Sequence, residues 1–181
     1  MSHSPAWLIV PALIAPAAMV SPAYAVQYLT TEAAQKIMFP DASAFIPHPV
    51  RLTDAQKSVV EKAAKVRMHF PEQPVWQVMA DGKPAGWFVL DEVYGKHEFI
   101  TYAVALDASG AVRGVEILDY RETHGGEIRN PKWRAQFNGV RHGAALKLDE
   151  DIQNISGATL SCKHIAEGVR RVLAIHAVAL K

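Results

Sequence analysis

Four short apolar segments separated by tight turns constrain the fold of this chain more than any other feature. Each segment has the length and the β-branched or aromatic content of a strand, and every gap between two segments contains a glycine. Asp81-Gly82, directly after the first segment, is a hairpin signal. Strands joined by such short turns pair in antiparallel fashion. The pattern therefore predicts an antiparallel β-meander built from residues 75–80, 87–90, 99–106 and 112–118.

Helical patterns stand on both sides of this predicted meander. A first helix is predicted after Thr30 and ends before Pro40, and residues 45–49 are predicted to form an extended linker. Thr53 and Gln56 have the spacing of a capping box and predict the start of a second helix. The chain is therefore expected to be a single α+β domain, in which N-terminal helices and a C-terminal helix flank the sheet.

The last helix, predicted over residues 161–179, begins at a junction of hydroxyl and small side chains. The first N–H groups of a helix lack partners within it, and they favour a phosphate together with the positive end of the helix dipole. Small residues also let a planar ligand approach the backbone. The candidate binding residues at this junction are Ser156, Gly157, Ala158, Thr159, Leu160 and Ser161. An ordinary serine-capped helix start is the alternative.

The loop that follows the last predicted strand is a second candidate site. Its paired glycines permit positive φ angles and a close approach of the backbone to a ligand. The candidate residues of this loop are Glu122, Thr123, His124, Gly125 and Gly126. A plain connection from strand to helix is the alternative. Trp133 and Phe137 follow at helical spacing on one face, where they form either core or a wall against a flat ring.

Composition argues against several functional classes. The chain has 181 residues with 19 basic and 18 acidic side chains, so its net charge of +1 gives no electrostatic basis for binding nucleic acid. Its single cysteine, Cys162, has no partner for an intramolecular disulfide. The eight histidines do not have the spacing of a metal site. We therefore expect neither a nucleic-acid partner nor a metal centre.

The amino-terminal segment resembles an export signal. The first 25 residues contain no Lys, Arg, Asp or Glu, and residues 6–20 are almost wholly apolar. Ala23-Tyr24-Ala25 has the small-x-small form of a signal-peptidase site. We expect a signal peptide over residues 1–25, cleaved after Ala25, and a periplasmic product. A membrane anchor formed by residues 6–25 is the alternative.

Several motifs together resemble one known family. The run Ser156-Gly157-Ala158-Thr159 is similar to the attachment motif of the FMN-binding domain family. This family includes subunits of the sodium-translocating NADH:quinone reductase and of the Rnf complex, and the periplasmic domain of the nitrous-oxide reductase regulator. Residues 122–126 resemble the family's Glu-Thr-x-Gly loop, and residues 133–139 resemble its aromatic-rich segment ending in Phe-x-Gly.

The resemblance implies a cofactor and partners. It implies FMN bound covalently to Thr159 by a phosphoester bond, which a flavin transferase makes from FAD. The remaining residues of both motifs, with Trp133 and Phe137, are then expected to contact the cofactor. The expected domains are residues 26–74 as an N-terminal helical segment and residues 75–181 as the FMN-binding domain.

The expected function is electron transfer in the periplasm or at a membrane respiratory complex, with redox proteins as partners. No paired acid and base and no substrate pocket are recognisable, so we expect an electron carrier more than a stand-alone enzyme. The alternative is a periplasmic accessory or regulatory module of a respiratory enzyme that binds flavin reversibly or not at all.

Two positions depart from the family pattern. Gln153 stands where members often carry an acidic residue, three positions before the motif serine, and this bears on recognition by the transferase. His124 stands where proline is commoner, and this bears on the detail of the ring pocket.

Overall fold

The predicted meander forms the centre of the molecule. A computed structural model describes residues 29–68 and 70–180, and five antiparallel strands lie side by side in chain order. The strands are β1 (Ala44–Pro47), β2 (Val75–Ala80), β3 (Lys83–Tyr94), β4 (Phe99–Asp107) and β5 (Val112–Tyr120). Every strand pairs with its neighbour in sequence, so short turns alone build most of the sheet.

The β2–β3 turn shows how local chemistry sets the strand register. Asp81 and Gly82 have φ angles of 50° and 72°, and Ala80 pairs with Lys83 across them. Two central residues with positive φ are the mark of a tight hairpin turn whose twist matches that of the strands. This turn was predicted from the Asp-Gly pair, and the structure confirms it.

The prediction of a linker over residues 45–49 was wrong in part. Ala44–Pro47 forms strand β1, in which Phe45 pairs with Val78 and Pro47 pairs with Trp76 of β2. The strand is short, mostly exposed and contains a proline, so it lacks the alternating pattern of a buried strand. Proline is tolerated here because β1 lies at the edge of the sheet, where one side of the strand needs no ladder bonds.

Two N-terminal helices form as their capping residues predict. Helix α1 (Thr31–Met38) follows Thr30, whose side chain accepts a hydrogen bond from the N–H of Ala33 at 3.1 Å. Helix α2 (Asp54–Ala64) begins with the predicted capping box, in which Thr53 and Gln56 bond reciprocally at 3.3 and 3.0 Å.

Helices cover the two faces of the sheet and create two apolar cores. On one face Met38 and Phe39, at the end of α1, pack against Phe88 and Leu118. On the other face lie α2 and the long final helix α4 (Thr159–Ala179), which packs its buried side chains against Val89, Val104 and other inward residues. The fold is thus a single α+β domain, as predicted. The boundary at residue 75 stays a prediction of the sequence, and β1 of the N-terminal segment pairs with β2.

A buried ion pair joins α4 to the sheet. The Arg171 Nη2 atom lies 2.7 Å from Asp91 Oδ2 of β3, and the Tyr102 hydroxyl of β4 donates to the same oxygen at 2.6 Å. Burial, together with the negative charge of Asp91, raises the pKa of Tyr102 well above its usual 10.0. The hydroxyl therefore stays protonated and acts as a donor to the carboxylate.

A short helical connection links β5 to the last part of the chain. It consists of a 3-10 turn (Gly126–Arg129), helix α3 (Pro131–Arg134) and a second 3-10 turn (Ala135–Phe137). Pro131 begins α3, as its sequence position predicts. No helix within the described ranges is both long enough and apolar enough to cross a membrane. The predicted signal peptide lies outside the residues that the structure describes.

Candidate functional site

The structure brings the two candidate motifs together as the walls of one cleft. The cleft has a volume of about 480 Å³, which falls in the range of small-molecule sites. It lies where α4 begins, where the loop after β5 passes, and where the turn between β3 and β4 projects. Its lining residues are Lys96, His97, Glu122, Thr123, His124, Gly157, Ala158, Thr159, Leu160 and Ser161.

The first turn of α4 faces this cleft without a side-chain cap. The helix begins at Thr159, two residues earlier than predicted, and its N-cap residue Ala158 makes no capping hydrogen bond through its side chain. The first helical bond joins the N–H of Cys162 to the carbonyl of Ala158 at 2.9 Å. The N–H groups of residues 159–161 therefore have no carbonyl partner within the helix, and they carry its positive end.

The alternative prediction, an ordinary serine-capped helix start, does not hold, because no side chain caps α4. Ser161 lies inside the helix and is only 3% exposed, and Ser156 lies before the N-cap residue. Gly157 adopts a φ of +82°, and the position of its missing side chain is open space. The junction therefore presents bare backbone to the cleft, which suits a ligand that binds through N–H groups.

Thr159, the first residue of α4, is exposed to solvent. Its hydroxyl oxygen accepts a hydrogen bond from the Asn154 side-chain amide at 3.2 Å. Leu160, the second residue of α4, is 43% exposed. An accessible hydroxyl and an exposed apolar side chain thus stand next to each other at the cleft.

The Glu122 carboxylate organises the opposite wall. Its Oε1 atom accepts hydrogen bonds from the backbone N–H groups of Lys96, of His97 at 2.6 Å and of Glu98 at 3.1 Å. Partial burial works to raise the pKa of Glu122, but these N–H donors outweigh it and hold the pKa below its usual 4.5. The carboxylate is therefore a fixed anion that holds the β3–β4 turn against the loop after β5.

Gly125 is the point at which the two motifs touch. It has a φ of +86°, and a side-chain carbon at this position would lie 2.3 Å from the Ala158 Cβ atom. The nearby Tyr120 hydroxyl donates to the carbonyl of His124, and burial is the main cause that raises the pKa of Tyr120. Gly126 is half-buried beside the Arg129 side chain and begins the 3-10 turn.

Trp133 and Phe137 do not line the cleft. Phe137 is fully buried and Trp133 nearly so, and their rings meet edge to face at 5.4 Å within the core. The indole Nε1 of Trp133 donates to the carbonyl of Gln153 at 2.7 Å. Trp133 therefore supports the chain just before the Ser156–Thr159 motif, and the prediction that both rings touch the cofactor stays a prediction.

Sequence reasoning missed two side chains in the cleft and one beside it. Lys96 and His97 come from the β3–β4 turn, which was predicted only as a turn. Asn154 had no role in any motif, yet it contacts Thr159. The contacts of these residues are tertiary, and no periodicity or spacing in the sequence could have indicated them. Among the described residues, no group of three or more His, Cys, Asp or Glu side chains is placed to hold a metal ion.

The site suits a phosphate-bearing ligand with a flat ring. The uncapped N–H groups of α4 match phosphate oxygens, and the open space at Gly157 admits a bulky group. Exposed Leu160 offers an apolar surface next to them. These features match the class of proteins that bind a phosphorylated cofactor.

Comparison with known proteins identifies the cofactor. Residues 95–174 match the sequence profile of the FMN-binding domain. These residues therefore resemble the FMN-binding domain family, and the match supports FMN as the cofactor. The match begins at the β3–β4 turn and includes both walls of the cleft.

A curated protein and a solved structure are similar to this chain. The chain is 32% identical over 139 residues to a subunit of the Na(+)-translocating NADH-quinone reductase of Pasteurella multocida (strain Pm70), a match that covers 67% of this chain and 52% of that protein. The chain thus spans about half the length of this relative. The crystal structure of Shewanella oneidensis NqrC superposes with a TM-score of 0.49 at 18% identity, covering 77% of this chain and 80% of that one.

Proposed function

We propose that this protein is an exported flavoprotein that carries FMN covalently on Thr159 and passes electrons in a periplasmic or membrane-associated respiratory chain. The observation that carries the proposal is the position of the Thr159 hydroxyl. It is exposed, it belongs to an uncapped helix turn, and it lines the cleft shared with the loop over residues 122–126. A phosphoester to this hydroxyl would bring its phosphate next to the free N–H groups.

The first turn of α4 would hold the phosphate. The N–H groups of residues 159–161 and the positive end of the helix favour an anion at this place, without any need for a lysine or arginine. Gly157 leaves the approach clear, because no side chain occupies the space around it. Binding through the backbone suits an attachment that fixes the phosphate once and does not release it.

The cleft would hold the ring. Leu160 offers an apolar surface, and the turn carrying Lys96 and His97 stands on the other side, fixed by the Glu122 carboxylate. FMN, when bound, supplies the redox chemistry, and the protein contributes position and electrostatics. The part of the cleft open to solvent leaves the ring accessible to redox partners.

The relatives support a respiratory partner. The related protein of Pasteurella multocida is named as a subunit of a Na(+)-translocating NADH-quinone reductase. We propose that this chain likewise exchanges electrons with redox proteins or with a membrane respiratory complex. A flavin transferase that uses FAD is the second partner, because the phosphoester has to be formed from an activated flavin. Export through a signal peptide cleaved after Ala25 completes the proposal.

Mass spectrometry tests the covalent bond. The protein is coexpressed with a FAD-dependent flavin transferase, and we expect its intact mass to increase by FMN less one water. Thr159→Val removes the hydroxyl and should abolish the increase. Thr31→Val is the matched control, because Thr31 is likewise the first residue of a helix and lies outside the cleft, and it should keep the increase.

Two outcomes would overturn the proposal. A Thr159→Val protein that still carries the added mass would show that another residue is modified. An unmodified wild-type protein beside an active transferase would favour the accessory or regulatory module that binds flavin reversibly or not at all. The export claim has its own test, because the mature amino terminus should be Val26.

A further inference from the structure

Asn154 is the one side chain whose polar group bonds to the Thr159 hydroxyl in the described part of the chain. Its Nδ2 atom donates to Thr159 Oγ1 at 3.2 Å. Thr159 is the first residue of α4, so its backbone is fixed by the helix, while its hydroxyl stands at the surface. The contact therefore decides which way an otherwise freely rotating hydroxyl points.

Asn154 is itself held by neighbours on a rigid connection. The carbonyl of Gln153 accepts from Trp133 Nε1 at 2.7 Å, and the N–H of Gln153 donates to Gln136 Oε1 at 2.7 Å. The Gln136 amide in turn donates to the carbonyl of Trp133 at 2.8 Å. The backbone of Gln153, the residue before Asn154, is thus anchored through its N–H and its carbonyl to the helical connection after β5.

The other side-chain atom of Asn154 is not satisfied. Its Oδ1 atom is buried and has no hydrogen-bond partner in the structure. An unpaired buried oxygen opposes folding, and such a group in a folded protein calls for an explanation. Burial of this oxygen without a partner costs stability, so stability alone does not account for the amide at this position.

We infer that Asn154 is a positioning residue for the modification of Thr159. The inference rests on the proposed function, namely that a transferase moves FMN from FAD to this hydroxyl. A donor on one lone pair of Oγ1 leaves the second lone pair and the proton directed away from Asn154, towards solvent. The hydroxyl oxygen is then oriented towards an incoming phosphorus atom. After the transfer, the Asn154 amide can donate to the same oxygen, which has become the ester oxygen.

Asn154 assists a transfer in which one bond to phosphorus forms and another breaks. The Thr159 oxygen forms a bond to the flavin-side phosphorus of FAD, and the pyrophosphate bond breaks. AMP leaves, and the hydroxyl proton passes to a base of the transferase. No electron is transferred in this step, and Asn154 neither gains nor loses a proton. Its part is orientation, which affects the rate of the step and not the affinity of the two proteins.

The test measures the initial rate of flavin attachment with purified transferase and FAD, by intact mass and by released AMP. We expect Asn154→Ala to lower kcat roughly five- to tenfold, the value of one neutral hydrogen bond, with KM for this protein unchanged. Asn138→Ala is the matched control, because Asn138 is an exposed asparagine that lines a different cleft. It should keep the wild-type rate.

A second variant separates positioning from stability. Asn154→Leu has nearly the same shape, removes the unpaired oxygen and cannot donate to Thr159. We expect it to unfold at a temperature equal to or above that of the wild type, and yet to accept flavin as slowly as Asn154→Ala. A purely structural asparagine would give a normal rate whenever the variant is folded.

The outcomes are distinguishable. Wild-type rates in both Asn154 variants, with the wild type fully modified on Thr159, would overturn the inference and leave the proposed function intact. A raised KM with an unchanged kcat would also overturn it, because it would mean that Asn154 contacts the transferase. An unmodified wild type would overturn the proposed function and this inference with it.

Discussion

Gly125 shows how a single missing side chain brings two motifs together. Its φ of +86° lies in the region that favours glycine, and Ala158 and the Tyr120 hydroxyl leave no space for a side-chain carbon. The loop after β5 therefore approaches the start of α4 as closely as backbone allows. The two walls of the cleft keep their separation because this contact is fixed.

Replacing Gly125 by alanine tests its close contact with Ala158, and Gly139, which has a similar φ angle, serves as the control. Gly139 has a φ of +77° with open space around it, so Gly139→Ala should destabilise the protein by about 1 kcal/mol through its backbone alone. Gly125→Ala adds a collision and should cost about 3 kcal/mol. Urea denaturation measures both. Equal losses in the two variants would mean that the contact with Ala158 is not tight.

At the level of elements, the β3–β4 turn and the loop after β5 behave as one unit because Glu122 joins them. The carboxylate accepts N–H bonds from three successive residues of the turn, Lys96, His97 and Glu98. Lys96 and His97 also line the cleft. The charge on Glu122 therefore supports the shape of the cleft as well as the stability of the fold.

The charge on Glu122 predicts a pH-dependent stability. Because its pKa is lower in the folded protein than the usual 4.5, its contribution is complete above pH 4.5 and is lost as the pH falls through the folded value. Glu122→Gln should therefore reduce the free energy of unfolding at pH 7 by about 1–2 kcal/mol. A lower melting temperature measures this loss. The difference from the wild type should shrink below pH 4.5.

The control for this experiment is Glu98→Gln, which removes the same charge from an exposed side chain of the same turn. It should leave the melting temperature nearly unchanged at both pH values. A Glu122→Gln deficit that persists undiminished in acid would mean that shape, and not charge, is what the turn requires.

Elements were predicted best where their determinants are local. The Thr53–Gln56 capping box and the Asp81-Gly82 turn fix their own backbone, and both appear in the structure as predicted. Strand β1 was missed because its pairing with β2 depends on residues far away in the sequence. The start of α4 was placed two residues late, since Ser161 suggested a cap that the structure does not use.

At the scale of the whole molecule, the ion pair of Asp91 and Arg171 binds the long helix to the sheet inside the core. Both side chains are almost completely buried, and Arg171 also donates to the carbonyls of Arg67 and Glu92. Removal of one partner leaves an uncompensated charge in an apolar environment, which is costly. The apolar stripe of α4 gave no indication of this pair.

Arg171→Leu should therefore destabilise the protein by about 3–5 kcal/mol in chemical denaturation. The exposed pair of Arg51 and Glu72, at 3.7 Å, provides the comparison. Arg51→Leu should change the free energy of unfolding by less than about 1 kcal/mol, because solvent screens this pair. Similar losses in the two variants would contradict the structural role assigned to Arg171.

The site was only partly predictable at this scale. The sequence indicated residues 122–126 and 156–161 as separate candidates, and the resemblance to a family joined them. The structure places residues 122–124 and 157–161 on one cleft. For Trp133 the sequence left core and ring wall open, because aromatic spacing cannot tell a core face from a ligand face. In the structure its indole donates to the carbonyl of Gln153. Side chains such as Asn154 act through contacts that only the fold creates.

The two edges of the sheet bear on how copies of this protein meet in concentrated solution. Along β5 the carbonyls of Val112, Val115 and Leu118 accept hydrogen bonds from Gly139, Arg134 and Leu29, respectively. The opposite edge is β1, only four residues long and ending in Pro47. Among the described residues, these three carbonyls of β5 are thus occupied, and β1 is too short to offer a long row of free backbone groups. Sheet-to-sheet polymerisation is thus discouraged at both sides.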